Sequence, residues 1–387
     1  MQKVFKRALT VALAIGVLAG CASEEDSIHM APLPVVKNTF TPETLWSDSV
    51  GDGVAGYFSR LTPAIGDGKI FVADRDGLVE ALDPNNGKVL WKQDFEGDTS
   101  AKLSGGIVYS SGVIYIGSEN ADVLAINAEN GDEIWRAKVQ GEVLSKPLVD
   151  EGLVVVNTSN GFLQALDVST GESKWQISSE VPTLTLRGDS SPVAIAGGVF
   201  WGQANGRLAG ALMHNGQLLW QQAIAAPKGA TEIDRLVDVD ATPVIAGDRL
   251  YAIGYNGSLV SIELRTGQIA WKRNYSSATN FIVDANTLYL VTEKDHIVAV
   301  DARSGTEIWQ NKDLEYRQLT APAAIDGYLV VGDAEGYLHW LDQSTGDFVS
   351  QESIGGGGMS VPPVALDDDA FIVSTRDGKI KKMQISQ

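Results

Sequence analysis

A chain of 387 residues with 49 acidic and 30 basic side chains carries a formal charge of −19 at pH 7. A polyanion of that size does not bind nucleic acid or anionic headgroups through its bulk surface. The single cysteine excludes an intramolecular disulfide, and the four histidines, His29, His214, His296 and His339, stand in no metal-ligand spacing.

The first element is a leader. Lys3, Lys6 and Arg7 form a basic head, and Ala8 to Gly20 is an apolar run. That run is short of the roughly 20 residues a membrane-spanning helix needs, so residues 1–20 are expected to be a secretory signal peptide. It ends in "LAGC" (18–21), which resembles the lipobox of bacterial lipoproteins. The resemblance implies that Cys21 is acylated and begins the mature chain. One acyl chain alone anchors marginally, at about 0.8 kcal/mol per buried CH₂, so two or three are needed for permanence. Ala22 and Ser23 follow the Cys where an Asp would retain the protein at the inner membrane. The resemblance therefore implies an outer-membrane address, anchored at the inner leaflet and facing the periplasm. Residues 21–45 are polar and Pro-bearing with no clean period, and are expected to be a flexible lipidated tether reaching about 25–30 Å as a coil.

From residue 46 the chain repeats. Trp91, Trp135, Trp175, Trp220, Trp271 and Trp309 recur every 38 to 51 residues, each with Gly four positions earlier. Periods of this length indicate a propeller or another array. Within a unit, "LVVVNTSNGFLQALDVSTGESKW" reads as a β-branched run, an Asn-Gly turn, an alternating run, a Thr-Gly turn and a last strand. With a short segment before the first run, each unit holds four strands, which predicts a β-propeller. The turn before the third strand gives the count. It appears at Asp76-Gly77, Asn160-Gly161, Asn205-Gly206, Asn256-Gly257, Glu335-Gly336 and Asp377-Gly378, with degenerate forms at Asn120-Ala121 and Lys294-Asp295. The expected fold is therefore all-β, an eight-bladed propeller over residues 46–387. The last unit stops before its Trp strand, so the strand holding Trp46 is expected to complete it and leave no open end. Burying one indole removes roughly 150–250 Å² from water, which makes the repeated Trp a structural staple between blades.

The pattern A-x-D-x-x-x-G-x-x-x-W resembles the tryptophan-docking motif of the quinoprotein dehydrogenases. That resemblance covers the whole of 46–387 and speaks for fold rather than activity. The dehydrogenases hold pyrroloquinoline quinone and calcium near the axis, and many use adjacent cysteines there; this chain has no such cysteines and lacks their insertions. "DRDG" (74–77) lacks the later Glu of a calcium loop, and no Gly-x-Ser-x-Gly elbow is present. The expectation is a binding protein with no catalytic residues, cofactor or metal.

Two consecutive blade crossings are long: Pro192 lies 17 residues after Trp175, and Pro243 lies 23 after Trp220. The crossing after Trp46 also runs 17 residues, to Pro63. Long insertions in a repeat protein collect on one face. The first loop carries Leu184, Leu186 and Arg187, the second Asp234, Arg235, Asp238 and Asp240, a mixture of apolar anchors and charges suited to a protein interface. Together with the lipobox and the propeller, "LTLRGDS" and "TEIDRLVDVD" resemble the lipoprotein subunits of the β-barrel assembly (BAM) machinery of Gram-negative outer membranes. Leu212 in place of the motif Asp and Ser350 in place of a Trp depart from the docking pattern without touching these loops.

The resemblance implies a non-catalytic scaffold, monomeric within a hetero-oligomeric complex, that binds the periplasmic domains of the barrel subunit BamA. It places the contacts at Leu184, Leu186, Arg187, Asp238 and Asp240, and implies help in folding and inserting outer-membrane proteins. Nascent outer-membrane proteins adding strands to blade edges are a second expected partner. The competing expectation is a periplasmic quinoprotein-like dehydrogenase or a solute-binding lipoprotein using the central channel.

Overall fold

The computed structural model describes residues 29–367 and 369–385; the expected signal peptide and Cys21 lie outside them. The described chain forms 32 strands in eight four-stranded antiparallel sheets, and no helix is found among the described residues. Blades 1 to 7 span 64–94, 103–138, 148–178, 193–223, 244–273, 282–311 and 323–353. Blade 8 takes three strands from 364–384 and its outermost strand, Glu43–Ser49, from the other end of the chain. The expected closure and blade count are both observed.

Each blade follows from its sequence texture. The second and third strands, such as Leu153–Asn157 and Phe162–Asp167, are near-continuous apolar runs, buried on both faces between neighbouring blades. Outer strands such as Ser173–Ser178 alternate exposed with half-buried residues, as a sheet edge must. The turn before the third strand needs a positive φ, and where Gly is absent Ala121 (φ 62) and Asp295 (φ 61) adopt it.

The repeated motif resolves into separate tasks. Its Ala pairs across the sheet with the Trp of the same blade, as in Ala81↔Trp91, Ala125↔Trp135 and Ala165↔Trp175, leaving room for the indole. Its Asp closes the turn by accepting backbone N–H groups, for example Ser169 at 2.9 Å and Thr170 at 3.1 Å on Asp167. Its Gly serves the preceding blade. A Cβ on Gly216 would lie 2.7 Å from the ring of Trp175, and one on Gly346 would lie 2.5 Å from that of Trp309. Every motif indole then donates Nε1–H to the carbonyl of the residue after the next blade's motif Asp position. The seven acceptors, Pro84, Ala128, Val168, Met213, Leu264, Ala302 and Gln343, lie at 2.9–3.2 Å.

The joint between blades 7 and 8 is built differently. Blade 7 exchanges large for small across one rung: Trp340 sits in the third strand and pairs with Ser350 in the outer strand. Blade 8 has no motif turn to receive an indole, because its outer strand comes from the N-terminus. The gap is filled by the segment before that strand. Phe40 packs on Trp340 and Tyr328, with ring centroids at 5.5 and 5.0 Å, and Trp340 meets Phe371 of blade 8 at 5.2 Å. The Thr39 N–H bonds the Val349 carbonyl at 2.8 Å, Asn38 bonds both backbone groups of Gln351, and the Ser350 hydroxyl donates to the Phe40 carbonyl at 2.5 Å. Upstream, Arg317 donates to the Ala31 carbonyl at 2.9 Å. The stretch expected as a tether over 21–45 is thus held against the ring through its second half, and the outer strand begins at Glu43 rather than 46. The packing of Phe40 into a joint without a tryptophan supplies the reason.

Candidate protein-docking site

The connections from each outer strand to the next blade's inner strand cross one face of the disk. Three of them, 50–63, 179–192 and 224–243, meet at the axis. Arg60 reaches across the ring and donates to the carbonyls of Asp189 (3.4 Å), Asp240 (3.3 Å) and Ala278 (3.3 Å). Those partners stand on the crossings after blades 3, 4 and 5, so one guanidinium ties four crossings together.

The two loops singled out by sequence form one surface. The Leu186 N–H donates to the Asp238 carboxylate at 3.2 Å, and the Ser190 hydroxyl donates to the Ala241 carbonyl at 3.2 Å. Gly188 has no side chain where a Cβ would lie 2.9 Å from the Asp240 carboxylate, so the loops approach closely. Leu184 is 42 % exposed and Leu186 is half-buried below it. The Arg187 side chain, 46 % exposed, is held by Glu119 at 3.1 Å and Glu142 at 2.9 Å. Glu119 is also gripped by Arg75 through two bonds of 3.1 and 3.0 Å. Arg187 is therefore presented in one orientation.

Asp238 and Asp240, expected among the contact residues, do not face outward. Each is only 2 % exposed, turned inward beneath the loops. Burial, then the neighbouring Asp240, pushes the Asp238 carboxyl up to about 8. Burial also raises Asp240, against the pull of Arg60, and raises Asp189 well above the carboxylate range with help from both neighbours. Asp238 and Asp240 are coupled neighbours, and burial raises both. The Arg60 guanidinium sets a positive charge against these buried acids, lowering Asp189 and Asp240 against the effect of burial. These two aspartates shape the loops from below, while Leu184 and Arg187 face outward.

Sequence reasoning missed Arg60, Arg75, Glu119 and Glu142. The length of the 50–63 crossing was the one signal for Arg60, and it points to no particular residue. The remaining chemistry is structural. His339 is buried in blade 7 against Asp333 at 3.0 Å, and His296 meets Glu315 at 3.1 Å. No group of three or more His, Cys, Asp or Glu side chains among the described residues could hold a metal ion.

Comparison with known proteins agrees with this picture. The family model described as outer membrane protein assembly factor BamB matches residues 38–103, 75–311 and 293–386. The outer membrane protein assembly factor BamB of Vibrio cholerae is 57 % identical over 387 residues, all of both chains. The crystal structure of BamB from Moraxella catarrhalis superposes with a TM-score of 0.80 at 26 % identity, covering 89 % of this chain and all of that one. The quinohemoprotein alcohol dehydrogenase of Comamonas testosteroni also matches, with a TM-score of 0.71 at 14 % identity over 90 % of this chain and 77 % of that one, a likeness of fold alone. The curated relatives are assembly factors, not enzymes. The chain belongs to the family of the outer membrane protein assembly factor BamB.

Proposed function

We propose that this protein is a non-catalytic scaffold of the BAM complex that docks on the periplasmic domains of BamA through the 179–192 and 224–243 crossings. The observation that carries this reading is the bond from Leu186 to Asp238, which joins the two loops into one surface with Leu184 and Arg187 outward. Those two side chains are the contacts, and Asp238 and Asp240 hold the loops in register. The protein is anchored through acylated Cys21 at the inner leaflet of the outer membrane, and its role there is to assist folding and insertion of outer-membrane proteins.

Copurification from solubilised outer membranes tests the docking. Wild-type protein is expected to bring BamA with it, whereas Leu184→Asp and Arg187→Ala are not, at unchanged melting temperature. Retention of BamA by both variants would refute the assignment. Nascent substrate has its own surface in this proposal: the outer strands end in unpaired edges bearing exposed Val89, Leu90, Ile134, Leu218, Leu219 and Ile308. Crosslinkers on those strands that never capture substrate in a working complex would remove that part.

A further inference from the structure

We infer that the docking surface has a third loop, the 50–63 crossing, and that Tyr57 and Phe58 on it contact the same BamA domains as Leu184 and Arg187. This rests on the docking function proposed above and extends it to residues with no counterpart in the two loop motifs.

The first observation is where apolar surface lies. Eight crossings link the blades, all within the described residues, and only three expose a large apolar side chain. Tyr57 is 56 % exposed and Phe58 40 %, Leu184 and Val181 emerge from the second loop, and Ile233 is 75 % exposed on the third. Single exposed apolar residues need no explanation, but among the crossings they are confined to three that Arg60 joins at one point. The five shorter crossings expose none.

The second observation is physical continuity. The Arg60 guanidinium lies 5.4 Å from the Phe58 ring centroid while it bonds the Asp189 and Asp240 carbonyls. The Arg75 guanidinium lies 3.8 Å from the Tyr57 ring centroid and pairs with Glu119, which in turn pairs with Arg187. Arg60 therefore connects the Phe58 ring to both docking loops, and Arg75 connects the Tyr57 ring to Arg187 through Glu119. A cation against each ring fixes its orientation, so little side-chain freedom remains to be lost on binding. Tyr and Arg are the residue types enriched where binding energy concentrates. The contacts run from Arg187 through Glu119 and Arg75 to Tyr57, which sets the third loop beside the surface that a domain seated on Leu184 and Arg187 would cover.

Photo-crosslinking residues placed singly at 57, 58 and 184 of the full-length protein in its membrane complex test the inference, together with the affinity of purified variants for the BamA periplasmic fragment. All three positions are expected to capture BamA, and Tyr57→Ala and Phe58→Ala each to weaken binding 10-fold or more. Tyr57→Phe, which keeps the ring on Arg75, is expected to bind as wild type and guards against an alanine variant that fails to fold. If position 184 captures BamA while 57 and 58 do not, and both alanine variants bind normally, the third loop is refuted and the docking proposal stands. If none of the three captures BamA, the docking proposal falls with it.

Discussion

The blade joints and the axial loops of this ring are held by opposite means. Seven joints repeat one solution: an indole on a glycine, with Nε1–H on a fixed backbone carbonyl. The indole and its acceptor carbonyl are both uncharged in every one of the seven. At the axis, three inward-turned aspartates and one arginine hold four crossings. The joints make the disk rigid; the axial loops use that rigidity to present side chains. Stability and recognition are therefore expected to separate under mutation.

The largest expected effect lies in the joints. Trp135→Ala removes a buried indole and its hydrogen bond, and should cost about 3–5 kcal/mol of unfolding free energy. Below the lowered melting point it should still bind BamA. Loss of binding in the folded variant would break the separation.

The eighth joint sharpens the comparison. Ser350→Trp restores the repeated motif, yet Phe40 and Trp340 already occupy that space. It should destabilise by about 1–3 kcal/mol, the range for overpacking. Combining it with Trp340→Ala should recover part of the loss. Denaturant unfolding of the single and double variants decides, and a stabilised single variant would show that the N-terminal segment is dispensable there.

A smaller effect belongs to the acids. Asp238 is raised to about 8 in the folded protein, so the folded state binds more protons than the unfolded one between roughly pH 4 and 8. Stability is then greatest at the acid end of that window and falls as pH rises through it. Melting temperatures from pH 5 to 8.5 should decline, and Asp238→Asn, permanently neutral, should decline less. Equal slopes would mean that Asp238 does not hold the proton.

How much of this could be read from sequence follows the same division. The motif was legible because six copies keep Gly and Trp at the same spacing, and Ala165, Asp167, Gly171 and Trp175 each proved to have a partner. Even the eighth joint left a trace: Trp340 stands ten residues before Ser350, the large and small members of one rung exchanged. The segment from Ala31 to Phe40 gave no trace, because it has no period and docks through backbone groups and one ring. The loops were legible as long insertions carrying Leu184, Leu186, Arg187, Asp238 and Asp240, but not which of the five face outward. The burial of Asp238 and Asp240 was not legible, since Arg60 meets the Asp189 and Asp240 carbonyls from 129 and 180 residues away along the chain.

The smallest expected change in stability carries the largest change in function. Arg187→Ala breaks ion pairs at a half-exposed side chain and should cost less than about 1 kcal/mol of stability. A calorimetric titration of the BamA periplasmic fragment into Leu184→Asp/Arg187→Ala protein, run well below its melting point, addresses the separation directly. No saturable heat from a variant that melts like wild type is the predicted result. Wild-type affinity from that variant would place recognition somewhere other than the axial loops and contradict the account.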